Sequence, residues 1–260
     1  MADLDPRFLR LPLAHRGLHD RDRGIIENSR AAVEAAAAAG YGIEIDVQRA
    51  ACGEAMVFHD EALPRLTEAA GLVADYSAAQ LAGIRLRGSD ETVPTLPEIL
   101  ALVAGRVPLL VEIKDQTGVL GEDGAQLEAR VAECLADYAG PVAVMSFNPH
   151  SVAAMAGLAP GIARGLVSCA FEDAGLPDYR RAELAALGDV RRVGAAFVSH
   201  DRRDLANPAL LDLKAGGLSV LTWTVRSAEQ ETAARAIADN ITFEGYLPAI
   251  PSAAEAEAEA

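Results

Sequence analysis

Gly42-Ile43-Glu44-Ile45-Asp46-Val47 decides the fold, together with its echo Leu110-Val111-Glu112-Ile113-Lys114. Side chains alternate across a β-strand, so Glu44 and Asp46 share one face, and Ile43, Ile45 and Val47 share the other. In the second stretch Glu112 and Lys114 lie opposite Val111 and Ile113. A strand that is apolar on one side and carries carboxylates on the other suits a closed barrel, whose outer face meets helices and whose mouth holds a site.

Working outward, β-branched apolar runs recur at residues 11–14, 42–47, 108–113, 142–147, 163–167, 195–198, 219–225 and 240–243. Ala- and Leu-rich stretches with helical spacing lie between most of them, as at 29–39, 125–138, 180–187 and 228–238. Eight strand–helix units in a 260-residue chain predict an α/β fold, a (β/α)8 TIM barrel, as one domain over 1–251. An open doubly wound sheet is the alternative. No Gly-x-Gly-x-x-Gly follows the first strand, which weakens its dinucleotide-binding form. Residues 49–97 break the alternation and predict a small insertion after strand 2, with a short strand at 55–58 and a helical piece near 78–82. The tail SAAEAEAEA, residues 252–260, carries no large apolar side chain and predicts a disordered acidic end.

Composition narrows the function. Hydrophobic residues make up 51% of the chain, enough for a large core without staples. Three scattered cysteines (52, 134 and 169) argue for a reducing compartment and against a thiolate zinc site. Residues 1–10 have no signal-peptide core, and no uncharged apolar run is long enough to span a bilayer. A soluble, cytoplasmic protein without stable membrane insertion is expected. The net charge of −15 disfavours nucleic acid and anionic membranes as partners. An anionic small molecule remains open, provided a cation or placed basic residues receive it. The sequence carries no signal of oligomeric state.

Three carboxylates in one small space repel. A pair of unit charges at ~4 Å costs about 4 kcal/mol at an effective dielectric of 20. The carboxylates either take up protons or hold a cation, and an all-oxygen set selects a hard divalent ion, Mg²⁺ or Ca²⁺. The bland reading is strand-end charges facing solvent or paired with Arg and Lys. His15 follows strand 1 and His59 closes the short strand of the insertion, both at strand ends where barrels place their sites. Either can be a general acid or base, or merely a capping or surface residue. Asp60 reaches His59 only if the chain bends. His19 and His150 read as loop residues without partners, and His200 as a weak candidate for the rim. Arg16 and Lys114 are the counter-charges for a phosphate. Asn28 or Ser29 reads as a helix N-cap. Trp223 reads first as core, and Ser146 and Asn148 as capping or site-reaching residues. No G-x-S-x-G elbow and no P-loop is present.

His15-Arg16-Gly17, Glu27-Asn28-Ser29, Glu44-x-Asp46-Val47, Gly53 ahead of Val57-Phe58-His59-Asp60, Pro94-Thr95-Leu96, Glu112-Ile113-Lys114 and Trp223-Thr224-Val225 form an ordered set. In order and approximate spacing it resembles the glycerophosphodiester phosphodiesterases, most densely between residues 14 and 114. The resemblance implies a barrel with a small insertion after strand 2, and a divalent cation held by Glu44, Asp46 and Glu112. It also implies catalysis by His15 and His59, phosphate contacts from Arg16 and Lys114, and Trp223 lining the cleft. The implied reaction converts a small-molecule glycerophosphodiester into glycerol 3-phosphate and an alcohol, with the glycerol 2-hydroxyl attacking phosphorus. That chemistry belongs to lipid and glycerol metabolism. Alternatives are a lysophospholipase D and a barrel that only binds a phosphate ester. Ile26 stands where the family has Pro, Ser29 replaces Thr, Cys52 replaces Asp, and Thr242-Phe243-Glu244 replaces a Thr-Asp pair. These departures spare every implied ligand and both histidines, and fall on the rim.

Overall fold

The computed structural model describes residues 2–172 and 175–251, so the tail at 252–260 lies outside the described residues. Nine strands run through the described residues: β1 Leu13–Ala14, β2 Gly42–Arg49, β3 Ala55–Val57, β4 Leu109–Ile113, β5 Val142–Ser146, β6 Ala163–Ser168, β7 Phe197–Asp201, β8 Ser219–Val225 and β9 Asn240–Phe243. Eight of them pair in parallel around a ring, and β1 bonds to both β2 and β9, which closes it. Closure removes the open-sheet alternative. The ninth, β3, lies antiparallel to β2 outside the ring.

Two strands, β1 and β7, start two residues later than the sequence reading. The first shortens from 11–14 to Leu13–Ala14, because the helix Arg7–Arg10 runs up to it and Leu11 N–H closes that helix on Arg7. The seventh begins two residues later than 195, since Ala195 N–H bonds back to Val190 in the turn that precedes it.

The alternation on β2 sorts its side chains as expected. Ile43, Ile45 and Val47 pack into the helix layer with Val33, Ala36, Leu96 and Ile99. The barrel interior is a separate apolar layer of Leu13, Leu110, Ala143, Val167, Phe197 and Leu221. Phe8, fully buried on the short N-terminal helix, belongs to that layer, and burial of one such ring contributes about 1.5–3 kcal/mol. Asn240 anchors it by donating to the carbonyls of Phe8 and Leu11, both at 2.7 Å. Gly165 has no side chain for a close-packing reason, as a Cβ there would run into the Phe197 ring.

The segment between β2 and the helix Leu96–Val103 has a small core of its own. Met56, Phe58, Leu63, Val73, Leu81 and Leu86 bury against one another and against Ile26. A helical piece spans Ala78–Leu81, and Thr95 with Glu98 forms the capping box that opens Leu96–Val103. That packing holds the end of β3, and with it His59, beside the mouth of the barrel.

Candidate active site

Glu44 and Asp46 leave β2 towards the barrel interior, and the parallel register sets Asp46 beside Glu112 of β4. One carboxylate oxygen from each of Glu44, Asp46 and Glu112 lies within 4.8 Å of the others, and all three residues are buried. Lys114, just past β4, sends its Nζ to Asp46 Oδ1 at 2.8 Å and Glu112 Oε1 at 2.6 Å. Arg16 enters from the turn after β1 with φ 57°, and its backbone N–H donates to Glu44 Oε2 at 3.0 Å. Gly17 follows at φ 77°, where a Cβ would collide with the backbone of Ala32. Ser29 is the N-cap of the helix Arg30–Ala39. Asn28 is not a cap. It is buried and holds Asp46 from both sides, donating Nδ2 to Oδ2 at 2.8 Å and accepting the Asp46 N–H at 3.2 Å.

The electrostatics of this cluster argue for a cation. Burial and the neighbouring carboxylates of Asp46 and Glu112 push Glu44 well above the usual carboxylate range. Glu112 is pushed up by burial and by Asp46, against the pull of Lys114. Burial acts on Asp46 in the same sense, but Lys114, His59 and Arg16 outweigh it and hold its carboxyl low. Three buried carboxylates thus face two largely covered cations, Arg16 and Lys114. Glu44 Oε1 is buried and has no hydrogen-bond partner, a costly state for a carboxylate oxygen. An orphaned oxygen, a surplus of negative charge and an all-oxygen donor set together fit a hard divalent ion.

Each of the two histidines meets a carboxylate. His15 Nδ1 is 2.5 Å from Glu244 Oε2, and His59 Nδ1 is 2.6 Å from Asp60 Oδ1. A bend at His59 turns two adjacent side chains towards each other. Glu244 and Asp60 are both held below the usual range, against burial, largely by hydrogen bonds from these histidines and from Arg65. An ionised carboxylate only accepts, so each Nδ1 donates to its carboxylate and each Nε2 is left for another partner. Burial lowers the pKa of both rings, opposed at His15 by the Glu244 bond and reinforced at His59 by Lys114.

Arginines brace both carboxylates. Arg226 Nε donates to Glu244 Oε1 at 2.7 Å. Arg65 bonds Asp60 through Nε at 2.5 Å and Glu27 through Nη1 at 2.8 Å, while Glu27 also holds Arg16 Nη1 at 2.7 Å. Sequence reasoning noted Glu244 only as a departure on the rim and missed Arg226 and Arg65. Charge at the end of the last two barrel strands was the available signal.

His15, Arg16, Glu44, Asp46, His59, Glu112, Lys114 and Trp223 all line one cavity of about 190 Å³ at the C-terminal mouth, with Met145, Phe147 and Arg226. Trp223 is half-buried, bonds Ser199 O through Nε1 at 3.0 Å, and meets Phe147 edge-on with centroids 5.6 Å apart. Other readings need correction. His19 lies 3.8 Å from Glu244, and His150 lies 3.4 Å from Glu122, so neither lacks a partner. His200 is fully buried within β7, bonded to Ser168 Oγ at 2.7 Å and Asp204, away from the rim. Asn148 caps the helix Pro149–Leu158, one of its two readings, while Ser146 donates to Ile113 O, and neither lines the cavity.

Comparison with known proteins gives a consistent answer. The model of the glycerophosphoryl diester phosphodiesterase family matches residues 15–243. A glycerophosphodiester phosphodiesterase of Caldanaerobacter subterraneus is 32% identical over 166 residues, covering 60% of this chain and 66% of that protein. Another, from Bacillus altitudinis, is 33% identical over 162 residues, covering 57% and 62%. The match therefore spans just under two thirds of the length of these relatives. An Oleispira antarctica phosphodiesterase, solved with the product sn-glycerol-3-phosphate, superposes with a TM-score of 0.71 at 25% identity, covering 90% of this chain and 93% of that one.

Proposed function

The chain belongs to the glycerophosphoryl diester phosphodiesterase family, and from that premise we propose that it hydrolyses glycerophosphodiesters to glycerol 3-phosphate and an alcohol. The observation that carries this reading is the meeting of three buried carboxylates, two partly buried cations and two carboxylate-braced histidines on one cavity. The cavity is below the roughly 300–1,000 Å³ of drug-sized pockets, so it suits a glycerophosphoryl fragment.

Glu44, Asp46 and Glu112 would hold the divalent cation, Mg²⁺ or Ca²⁺. That ion supplies Lewis-acid charge to phosphoryl oxygens and to an attacking oxygen. Arg16 and Lys114 offer donors to the phosphate, Arg16 through a planar fork. Displacement needs one proton removed from the attacking glycerol 2-hydroxyl and one delivered to the departing alkoxide. The two histidines divide that work, each reaching the cavity through Nε2 while Nδ1 stays on its carboxylate. Attack by the substrate's own hydroxyl gives a cyclic phosphate, which water opens by the reverse proton traffic. Trp223 and Phe147 offer an aromatic wall to the rest of the substrate.

A product assay on a panel of glycerophosphodiesters tests this reading. Glycerol 3-phosphate should be released, exhaustive chelation should abolish turnover, and added Mg²⁺ or Ca²⁺ should restore it. Glu112→Gln should weaken cation binding and turnover together. Full turnover by a metal-free preparation would refute the role given to the carboxylates.

A further inference from the structure

The barrel ring places β4 and β8 diametrically opposite each other. Glu112 and Lys114 stand on the β4 side of the mouth, and Trp223 and Arg226 on the β8 side. The cations on the two walls differ in one respect. Arg16 and Lys114 are engaged by internal carboxylates and only 17% and 14% exposed. The Arg226 side chain is 54% exposed and still lines the cavity. Its Nε and Nη2 both go to the single oxygen Glu244 Oε1, at 2.7 and 2.6 Å, while Glu244 Oε2 is taken by His15. One edge of the guanidinium is therefore fixed, and Nη1 bonds to no group among the described residues. An ion pair this exposed contributes little to folding. A fork steadied on one side and facing a cavity is instead suited to a second oxyanion.

We propose that Arg226 is a specificity-determining residue, selecting glycerophosphodiesters whose alcohol half carries an additional anionic group such as a carboxylate. This inference rests on the proposed phosphodiesterase activity and names a substrate class for it. Every glycerophosphodiester shares the neutral glycerol and the phosphate, so a charged wall residue can discriminate only through the alcohol. With the phosphate drawn to the carboxylate and lysine wall, the alcohol reaches across to β8. The surface of a chain with net charge −15 otherwise repels anions, and Arg226 supplies local attraction at the point of entry.

Glycerophosphoserine and glycerophosphoethanolamine differ by one carboxylate and make the test. The wild-type protein, loaded with divalent cation, should prefer the serine diester in kcat/KM by roughly threefold to tenfold, the scale of a half-exposed charge pair. The preference should shrink as salt rises. Arg226→Gln should bring the two substrates level, and Arg226→Lys should keep part of the difference. Release of Glu244 by the Gln variant would slow both substrates alike, so the ratio, not the rate, is the readout. Equal hydrolysis of the two by the wild type, or a ratio unmoved by Arg226→Gln, overturns this inference alone. If neither diester is hydrolysed, the proposed activity falls and the inference with it.

Discussion

The two histidine–carboxylate pairs are the same device built in opposite ways. His15 and Glu244 are 229 residues apart, while His59 and Asp60 are neighbours. The first pair exists only because β1 and β9 close the ring, and the His15 N–H itself bonds to Phe243 O, extending that seam. The second exists because of a local bend, held by the small core of the insertion around Phe58. In both, Nδ1 meets a carboxylate and an arginine braces the carboxylate from behind. The lesson is that one histidine–carboxylate geometry can come from global closure or from a single turn. Only the global version makes the pair depend on the ring's last pairing.

The largest expected effect comes from removing the rings. His15→Ala and His59→Ala should each lower kcat by roughly 10²–10⁴-fold, the range of general acid–base catalysis, with cation affinity nearly unchanged. Leaving-group dependence then assigns the roles. A nitrophenyl diester departs without protonation, so it should rescue the variant that lost the acid and leave the other impaired. Wild-type turnover of glycerophosphocholine by both variants would place the catalytic groups elsewhere.

A smaller effect should follow from neutralising the orienting carboxylates. Glu244→Gln and Asp60→Asn should lower kcat by about 10- to 10³-fold, short of the ~10⁴-fold loss known for a deeply buried orienting carboxylate. Both side chains are partly exposed, and both rings keep other neighbours. Each carboxylate holds an arginine, but Glu244→Gln should be the more severe, because Glu244 faces two histidines, His15 and His19, whereas Asp60 faces His59 alone. Equal or reversed severity would break the contrast between a seam-built and a bend-built pair.

Much of this was legible in the sequence, and the parts that were not share a cause. Period-two alternation in Gly42–Val47 sorted the β2 side chains correctly because one face of a barrel strand must be apolar. The ordered motif set named eight residues that the structure brings to one cavity. Glu244 was visible only as an irregular replacement, since no local pattern reveals a partner 229 residues away. Asn28 and Ser29 share the default reading of a polar residue before a helix, an N-cap, and Ser29 fills it, leaving Asn28 for Asp46. The Asn28 φ of 59°, which turns its amide onto Asp46, is not written in composition. Asp60 could reach His59 only through a bend, which strand alternation cannot foresee and which the structure supplies at His59.

The smallest effect is expected at Arg65, and it separates bracing from direct participation. Arg65 bonds Asp60 and Glu27 at once, and Glu27 holds Arg16, so a chain of charges links His59 to Arg16 on the cavity wall. Its own side chain is 43% exposed and does not line the cavity. Arg65→Gln leaves Asp60 on His59 and Glu27 on Arg16, and removes only the link between them. Exposed pairs of this kind are worth about 1 kcal/mol or less each. The expected outcome is therefore a fall in kcat of roughly threefold to tenfold with KM nearly constant, partly recovered by Arg65→Lys. Combined with Asp60→Asn, the loss should be less than additive, because Arg65 acts through Asp60. The discrimination assigned to Arg226 should not move, since that residue braces the other histidine. A loss as large as that of His59→Ala would mean that Arg65 contacts substrate. No loss at all would mean that the bend alone holds His59, and that the local pair needs no brace where the seam-built pair does.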